Sequence, residues 1–431
     1  MRVLLLFLLS LGHLVTDLSQ GALPMLLPVL REEFRLSYTE VGAVVLVANL
    51  SASVTQPLFG LWSDRHAGRW LLPLGCLLSA LGMALAGAAP GYALILLGVL
   101  LSGLGSAAYH PEGSKQTFLI SGTREKATAL SVYSVGGNIG FGLGPLAAAC
   151  LLARAGRFGV AVLLVPALAT ALLVQGFFPA LARLTQGEAR GAGEEQRPGA
   201  AFSAGRELNP AAAPARVPPG GPGQAARAAL LLLVLIVTLR SWMHVGLTTF
   251  IPLYYVDCLG SDPGFASMLL TIFLLAGAAG TLLGGPLADR WGRKTLLLLS
   301  FCLVVPPLLY LPSSTGAWSA VLVGWSGLAL ISTFAVTVVY AQELIPNQVG
   351  LASGLILGFA VGMGGLGALL LGSAADLWGV PAALKLVAVL PLPALFLTFL
   401  LPEQKKPESG SPGSSGVPAS RTPLPGEEME L

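Results

Sequence analysis

Apolar residues in this chain come in runs rather than alternating, and the runs repeat from one end to the other. Each is roughly 20 residues long, enough to cross a hydrocarbon core of about 30 Å as a helix. In lipid the backbone must satisfy its own hydrogen bonds, so such runs predict helices. The short alternating segments of a membrane β-barrel are missing from the pattern. Breaks at proline, glycine and charge clusters predict twelve spans, approximately 3–29, 39–61, 70–89, 92–118, 126–151 and 157–180, then 228–256, 264–288, 294–312, 316–344, 349–372 and 380–401. The expected organisation is a six-helix half over 1–180, a linker over 181–227, a second six-helix half over 228–401 and a tail over 402–431. The linker is rich in Ala, Gly, Pro, Glu and Arg, and the tail in Pro, Ser and Gly. Neither holds enough apolar surface to order itself, so both are expected to be flexible and cytoplasmic.

Composition agrees with this pattern. Of 431 residues 54% are hydrophobic and only 10% charged, against about 25% charged in soluble proteins. A formal charge of +3, with no basic patch interleaved by aromatics, gives no reason to expect nucleic acid. Cys76, Cys150, Cys258 and Cys302 stand singly in apolar segments and read as packing residues. Arg2 before a leucine run suggests a signal peptide, but the run continues past Gly12, His13 and Asp17 without a cleavage-like site and reads as the first span. Lysines and arginines concentrate at the ends of the spans that face the linker, which predicts both termini in the cytoplasm of a multi-pass membrane protein.

The two halves repeat one another. The loop after span two reads GLWSDRHAGRW and the loop after span eight GPLADRWGRK. Span four ends in Tyr109, two residues and Glu112; span ten ends in Tyr340, two residues and Glu343. Spans one and seven carry QGALP and LTTFIP, a proline-terminated polar break at the same place in each. Parallel six-helix repeats are one arrangement of secondary transporters, with the substrate site between the halves near the midplane.

The duplicated loop, with Gly60, Asp64, Arg65, Gly68 and Arg69 answered by Gly285, Asp289, Arg290, Gly292, Arg293 and Lys294, resembles the signature loop of the major facilitator superfamily. The resemblance implies an all-α membrane fold and a gating role for both loops; a loop that only sets topology is the plainer alternative. In span five, Gly140, Gly144 and Pro145 resemble the antiporter motif of the drug exporters, although Ala147 and Ala148 replace its trailing glycines. Ordinary close helix packing explains the same residues. The stretches GHLVTDLSQGALPMLLPVL, QPLFG, AYHPEGSK, GGNIGFGLGP and RSWMHVGLTTFIPLYY together resemble the bacterial fosmidomycin-resistance branch. That implies an inner-membrane, proton-driven exporter of drug-like or phosphonate molecules.

Charged groups inside spans cost roughly 2.5–3.5 kcal/mol each on insertion scales, so those retained are functional candidates. His13 and Asp17 share a face of span one, as Arg240 and His244 do in span seven. Spans one, four, seven and ten line the cavity in the family that the chain resembles. Asp17, Glu112, His110 and Glu343 are therefore candidates for proton coupling, and His13, Arg240, His244, Tyr109 and Asn138 for substrate binding. A guanidinium suits a phosphonate because it donates paired hydrogen bonds. Plainer roles stand beside these: a static Arg240–Asp17 pair, or solvation of Glu343 and Lys115 at the membrane edge. The arginine that many proton-coupled exporters carry in span four is replaced here by Val99. HExxH, GxSxG and P-loop patterns are absent, and the single His and Glu of HPEG are too few to hold a metal, so neither an enzyme nor a cofactor or metal is expected. The partners expected are a small molecule, protons and lipid, with the chain a monomer. An importer of an organic anion by proton symport and a non-transporting receptor are the competing readings.

Overall fold

A computed structural model describes residues 1–65, 68–121, 126–181, 224–345, 348, 351–352, 354–360 and 362–402. Most of the expected linker and all but the start of the expected tail lie outside these residues. So do the side chains of Asp64 and Arg65.

The described chain is helical throughout. The first half comprises α1 (Arg2–Phe34), α2 (Tyr38–Arg65), α3 (Leu71–Ala88), α4 (Tyr92–Ile120), α5 (Lys126–Ala155) and α6 (Leu164–Gly176). The second comprises α7 (Gln224–Leu253), α8 (Pro263–Trp291), α9 (Arg293–Tyr310), α10 (Gly316–Ile331), α11 (Phe334–Leu344), a π-helical stretch Gly354–Ala360, α12 (Gly364–Trp378), α13 (Val380–Val389) and α14 (Pro391–Phe399). Among the described residues, eleven stretches are long and apolar enough to cross a membrane. One of them, Ala129–Gly176, has 48 residues, twice what one crossing needs. It folds back at Gly156, whose φ of 56° ends α5, and α6 returns so that Val174 and Leu181 pack against Leu5, Leu8 and Leu9. That stretch therefore makes two passes. Spans ten and twelve each comprise two successive helices, α10 with α11 and α13 with α14.

Local chemistry sets the helix ends. Arg35 adopts φ 51°, ψ 42° and closes α1. Two residues later Ser37 and Glu40 form a reciprocal cap on α2: the Glu40 N–H donates to Ser37 Oγ at 3.1 Å, and the Ser37 N–H donates to Glu40 Oε2 at 2.8 Å. Asp262 caps α8 by accepting from the Phe265 N–H at 3.2 Å, with Pro263 at the first helical position. On the outer faces, Val165, Leu172, Leu282 and Phe396 are exposed, as lipid-facing side chains must be.

Within the first half, α1 lies directly on α5. A Cβ on Gly144 would stand 2.5 Å from Gly21 Cα, and Gly140 sits against the Leu14 backbone. The Gly140–Gly144 pair of the span-five motif thus lets two helix backbones meet. Gly144→Val is expected to push them apart at a cost of about 1–3 kcal/mol. A thermal melt in detergent checks this, and an unchanged midpoint would contradict the packing role.

The halves meet chiefly through α2 against α12 and α5 against α8. Along α2 and α12 the approach is closest at the end that carries residues 36–42. Gly372 lies against the Tyr38 carbonyl, and a Cβ on Gly42 would be 2.5 Å from Ala368 O. Farther along, a Cβ on Gly365 would be 2.7 Å from Leu46 Cα, and one on Gly362 2.9 Å from Ser53 Cβ. By Gly358 the nearest atom is Ser53 O at 3.9 Å, and a Cβ on Gly354 meets no described atom within 4 Å. Toward the end that carries the duplicated loops, the stretch that precedes α12 thus draws away from α2 among the described residues.

Candidate functional site

At the closed end, polar groups of one half grip the other. Asp376, near the end of α12, accepts from the Tyr38 N–H at 2.7 Å, the Thr39 N–H at 2.8 Å and the Thr39 hydroxyl at 2.5 Å. An anion there meets the positive end of the α2 dipole. Arg31 reaches Asp257 at 3.0 Å, also across the halves. Because residues 376 and 38 are 338 apart in sequence, no local pattern announces this contact.

At the other end, each Tyr-x-x-Glu repeat turns its carboxylate onto the loop of its own half. Glu112 is fully buried, accepts from Ser63 Oγ and from Gln116 Nε2 at 2.6 Å, and lies beside Gly68. Lys115 donates to the Ser63 carbonyl at 2.5 Å and to Ser63 Oγ at 3.0 Å. In the second half Arg293 pairs with Glu343, which is more exposed. Gly292, with φ 93°, makes the turn between α8 and α9, and Lys294 donates to the carbonyls of Phe399 and Leu401. Among the described residues, a Cβ on Gly60 would meet Pro111 at 3.7 Å, and one on Gly285 would meet nothing within 4 Å. Both tyrosines are fully buried: the Tyr109 hydroxyl donates to Leu9 O at 2.7 Å and that of Tyr340 to Pro402 O at 2.6 Å. Glu112→Ala is expected to strand the hydroxyl of Ser63 and the amide of Gln116. The cost is about 1–3 kcal/mol, with Glu112→Gln milder. Melting curves of the two variants read the difference, and equal midpoints would contradict it.

The candidates on spans one and four converge. Asp17 lies 3.2 Å from His13 Nε2 through Oδ2 and 2.8 Å from His110 Nε2 through Oδ1. The His13 ring stacks on Tyr133 at 4.2 Å between centroids, and its Nδ1 donates to the Tyr133 carbonyl at 2.9 Å. Glycine makes room for the cluster: Gly137 lies against the His13 ring, and Gly12 against the Tyr109 ring. The spacing of His13 and Asp17 is legible in the sequence. The arrival of His110, 93 residues on, depends on how α1 packs on α4. These three side chains are also the described group able to hold a metal ion. Asn138, on α5 next to Gly137, is exposed.

The candidates on span seven stand apart from this cluster. Arg240 is 4% exposed. Its guanidinium lies 5.0 Å over the Phe334 ring, and Nη1 is buried with no hydrogen-bond partner among the described residues. No described carboxylate pairs with it; Asp17 is engaged by the two histidines instead. His244, one turn on, has its ring 5.7 Å from that of Phe273.

Two helical halves meet along α2 and α12, with a polar cluster in one and a buried arginine in the other. Residues 9–262 and 230–426 match the model of the Major Facilitator Superfamily. The chain belongs to that superfamily. This facilitator is 34% identical over 396 residues to the fosmidomycin resistance protein of Escherichia coli (strain K12), covering 92% of both chains. It is 34% identical over 406 residues to an uncharacterized MFS-type transporter, YfnC, of Bacillus subtilis (strain 168), covering 93% of both. Among solved structures, the facilitator superposes on the E. coli xylose transporter XylE with a TM-score of 0.69 at 16% identity, covering 94% of this chain and 97% of that one. A bacterial homologue of the human lysosomal transporter Spinster gives 0.69 at 15% identity, covering 93% and 96%. At such identities these two structures speak for the fold.

Proposed function

We propose that this facilitator exports small anionic molecules of phosphonate type, fosmidomycin among them, in exchange for protons, across a bacterial inner membrane with both termini in the cytoplasm. The observation that carries the reading is Arg240. A charge held in a low-dielectric interior is strongly disfavoured unless it is paired, and here the guanidinium lies over the Phe334 ring with Nη1 lacking a hydrogen-bond partner among the described residues. An arriving phosphonate supplies the missing partner through paired, charge-assisted hydrogen bonds. The 34% identity to a fosmidomycin resistance protein over nearly the whole chain supports the substrate class.

Alternating access supplies the path. The separation of α2 from the stretch that precedes α12 opens this form toward the duplicated loops, the cytoplasmic end in the proposed orientation. An exporter loads from that side. Transport then requires the Asp376 and Arg31 contacts at the far end to release while the loops close. The experiment is a drug-susceptibility panel, fosmidomycin included, in a sensitive host that expresses the full chain or the Arg240→Ala variant at equal membrane levels. Resistance from the wild-type chain alone is the expected result. Failure of the wild type to protect against any anionic compound would contradict the proposed substrate class.

A further inference from the structure

Hydrogen-bond direction around His13 exposes a charge problem in the first half. A carbonyl oxygen only accepts, so His13 Nδ1, 2.9 Å from Tyr133 O, must carry a proton and donate it. In a neutral imidazole the other nitrogen, Nε2, then presents a lone pair, and it faces Asp17 Oδ2 at 3.2 Å. Two electron-rich atoms at that distance need a cation between them, either a second proton on the ring or a metal ion. His110 brings a third donor atom to the same carboxylate, Nε2 at 2.8 Å from Oδ1. His110 has no comparable constraint on its tautomer, because its Nδ1 lies 3.5 Å from the hydroxyl of Ser106, which can donate or accept.

We propose that His13 Nε2, His110 Nε2 and an Asp17 oxygen form a binding site for a divalent transition-metal ion of the zinc class. The three ligand atoms lie within 4.8 Å of one another. A tetrahedral ion with bonds of about 2.0–2.1 Å holds its ligands about 3.3 Å apart, so small side-chain adjustments close the site. Two imidazoles and one carboxylate suit zinc, cobalt or nickel rather than magnesium or calcium. The outer hydrogen bond is also of the kind that metal-bound histidines make: a backbone carbonyl holds the proton on Nδ1 and aims Nε2 at the ion. Cys76 is not a fourth ligand, since its sulfur is turned to Thr16 Oγ1 at 3.3 Å and Gly12 O at 3.5 Å. Side-chain exposures of 13% for His13, 15% for Asp17 and 25% for His110 leave a way in. Three protein ligands also leave a coordination position for water or another oxygen donor. This inference does not depend on Arg240 or on any particular substrate.

The test uses the full chain, purified in detergent with any affinity tag removed and titrated with Co2+ and, separately, Zn2+. One equivalent of Co2+ with visible d–d absorption of a four-coordinate ion is expected, displaced by Zn2+. His13→Gln and His110→Gln should each weaken Zn2+ binding in calorimetry by at least about tenfold. Asp17→Asn, which keeps the side chain's shape, should do the same, while His244→Ala in the other half should bind as the wild type does. Helical circular dichroism and a monodisperse elution profile certify each variant as folded. Absence of Co2+ absorption in the wild type, or undiminished Zn2+ binding in the folded variants, overturns the proposal and leaves the His13–Asp17 contact to a proton alone.

Discussion

Arg240→Ala is expected to abolish resistance and transport while the protein still reaches the membrane. Paired hydrogen bonds from a guanidinium to an anion in a dry site are worth about 3 kcal/mol together, which is about a hundredfold in apparent affinity. Arg240→Lys should fall between the wild type and alanine, because an ammonium keeps the charge but loses the planar fork. Stability should move the other way. Among the described residues Nη1 of Arg240 has no hydrogen-bond partner, and the guanidinium is held against Phe334. A well-fitting apolar residue removes that penalty. Arg240→Met should therefore raise the melting midpoint of the ligand-free protein as it eliminates transport. A variant that lost both stability and transport would mark Arg240 as a structural residue and sink its role as an anion receptor.

The second large effect concerns the closed end. Asp376→Ala removes the acceptor shared by two backbone N–H groups and one hydroxyl at the start of α2. Asp376 is exposed, so solvent screens the contact and the loss is about 1–2 kcal/mol, a factor of roughly 5–30 in the balance between the two access states. The population should shift toward the form that opens at the 36–42 end. Ser373→Cys, in a chain whose native cysteines are replaced by serine, puts a near-isosteric thiol where the Ser373 hydroxyl accepts from Thr39 Oγ1 at 3.2 Å across the halves, and reports this through its rate of labelling by a membrane-impermeant maleimide. The same cysteine should label faster when Asp376 is alanine. Equal rates would show that the α2 cap does not hold the halves together.

These residues also separate what the pattern along the chain announces from what only packing creates. The apolar runs marked the helices because a bilayer permits little else, and the repeated GLWSDRHAGRW and GPLADRWGRK loops marked the two halves. The fold-back at Gly156 was likewise legible as a break between spans five and six. The paired Tyr-x-x-Glu motifs were legible as repeats, but not their destinations. Glu112 and Glu343 turn to the loops of their own halves, and Tyr109 and Tyr340 close on backbone carbonyls. The His13–Asp17 pair follows from helical spacing, whereas His110 joins it through the packing of α4 on α1, where Gly12 leaves room for the ring of Tyr109. The grip of Asp376 on α2 is a product of docking between the halves, with no local signature at either end. Arg240 was conspicuous in the sequence as a charge in a span. That Asp17 is engaged elsewhere, leaving this arginine without an acid among the described residues, needed the packing of both halves.

The proposed activity is outward transport of an anion through Arg240, driven by protons. It is tested most directly with everted membrane vesicles preloaded with an inside-acid gradient and a pH-reporting dye. Adding fosmidomycin to vesicles that contain the wild-type chain should dissipate the gradient in a dose-dependent way, with no response from Arg240→Ala vesicles of equal protein content. An undisturbed gradient in wild-type vesicles that take up the compound, or an equal response from the variant, would contradict the account.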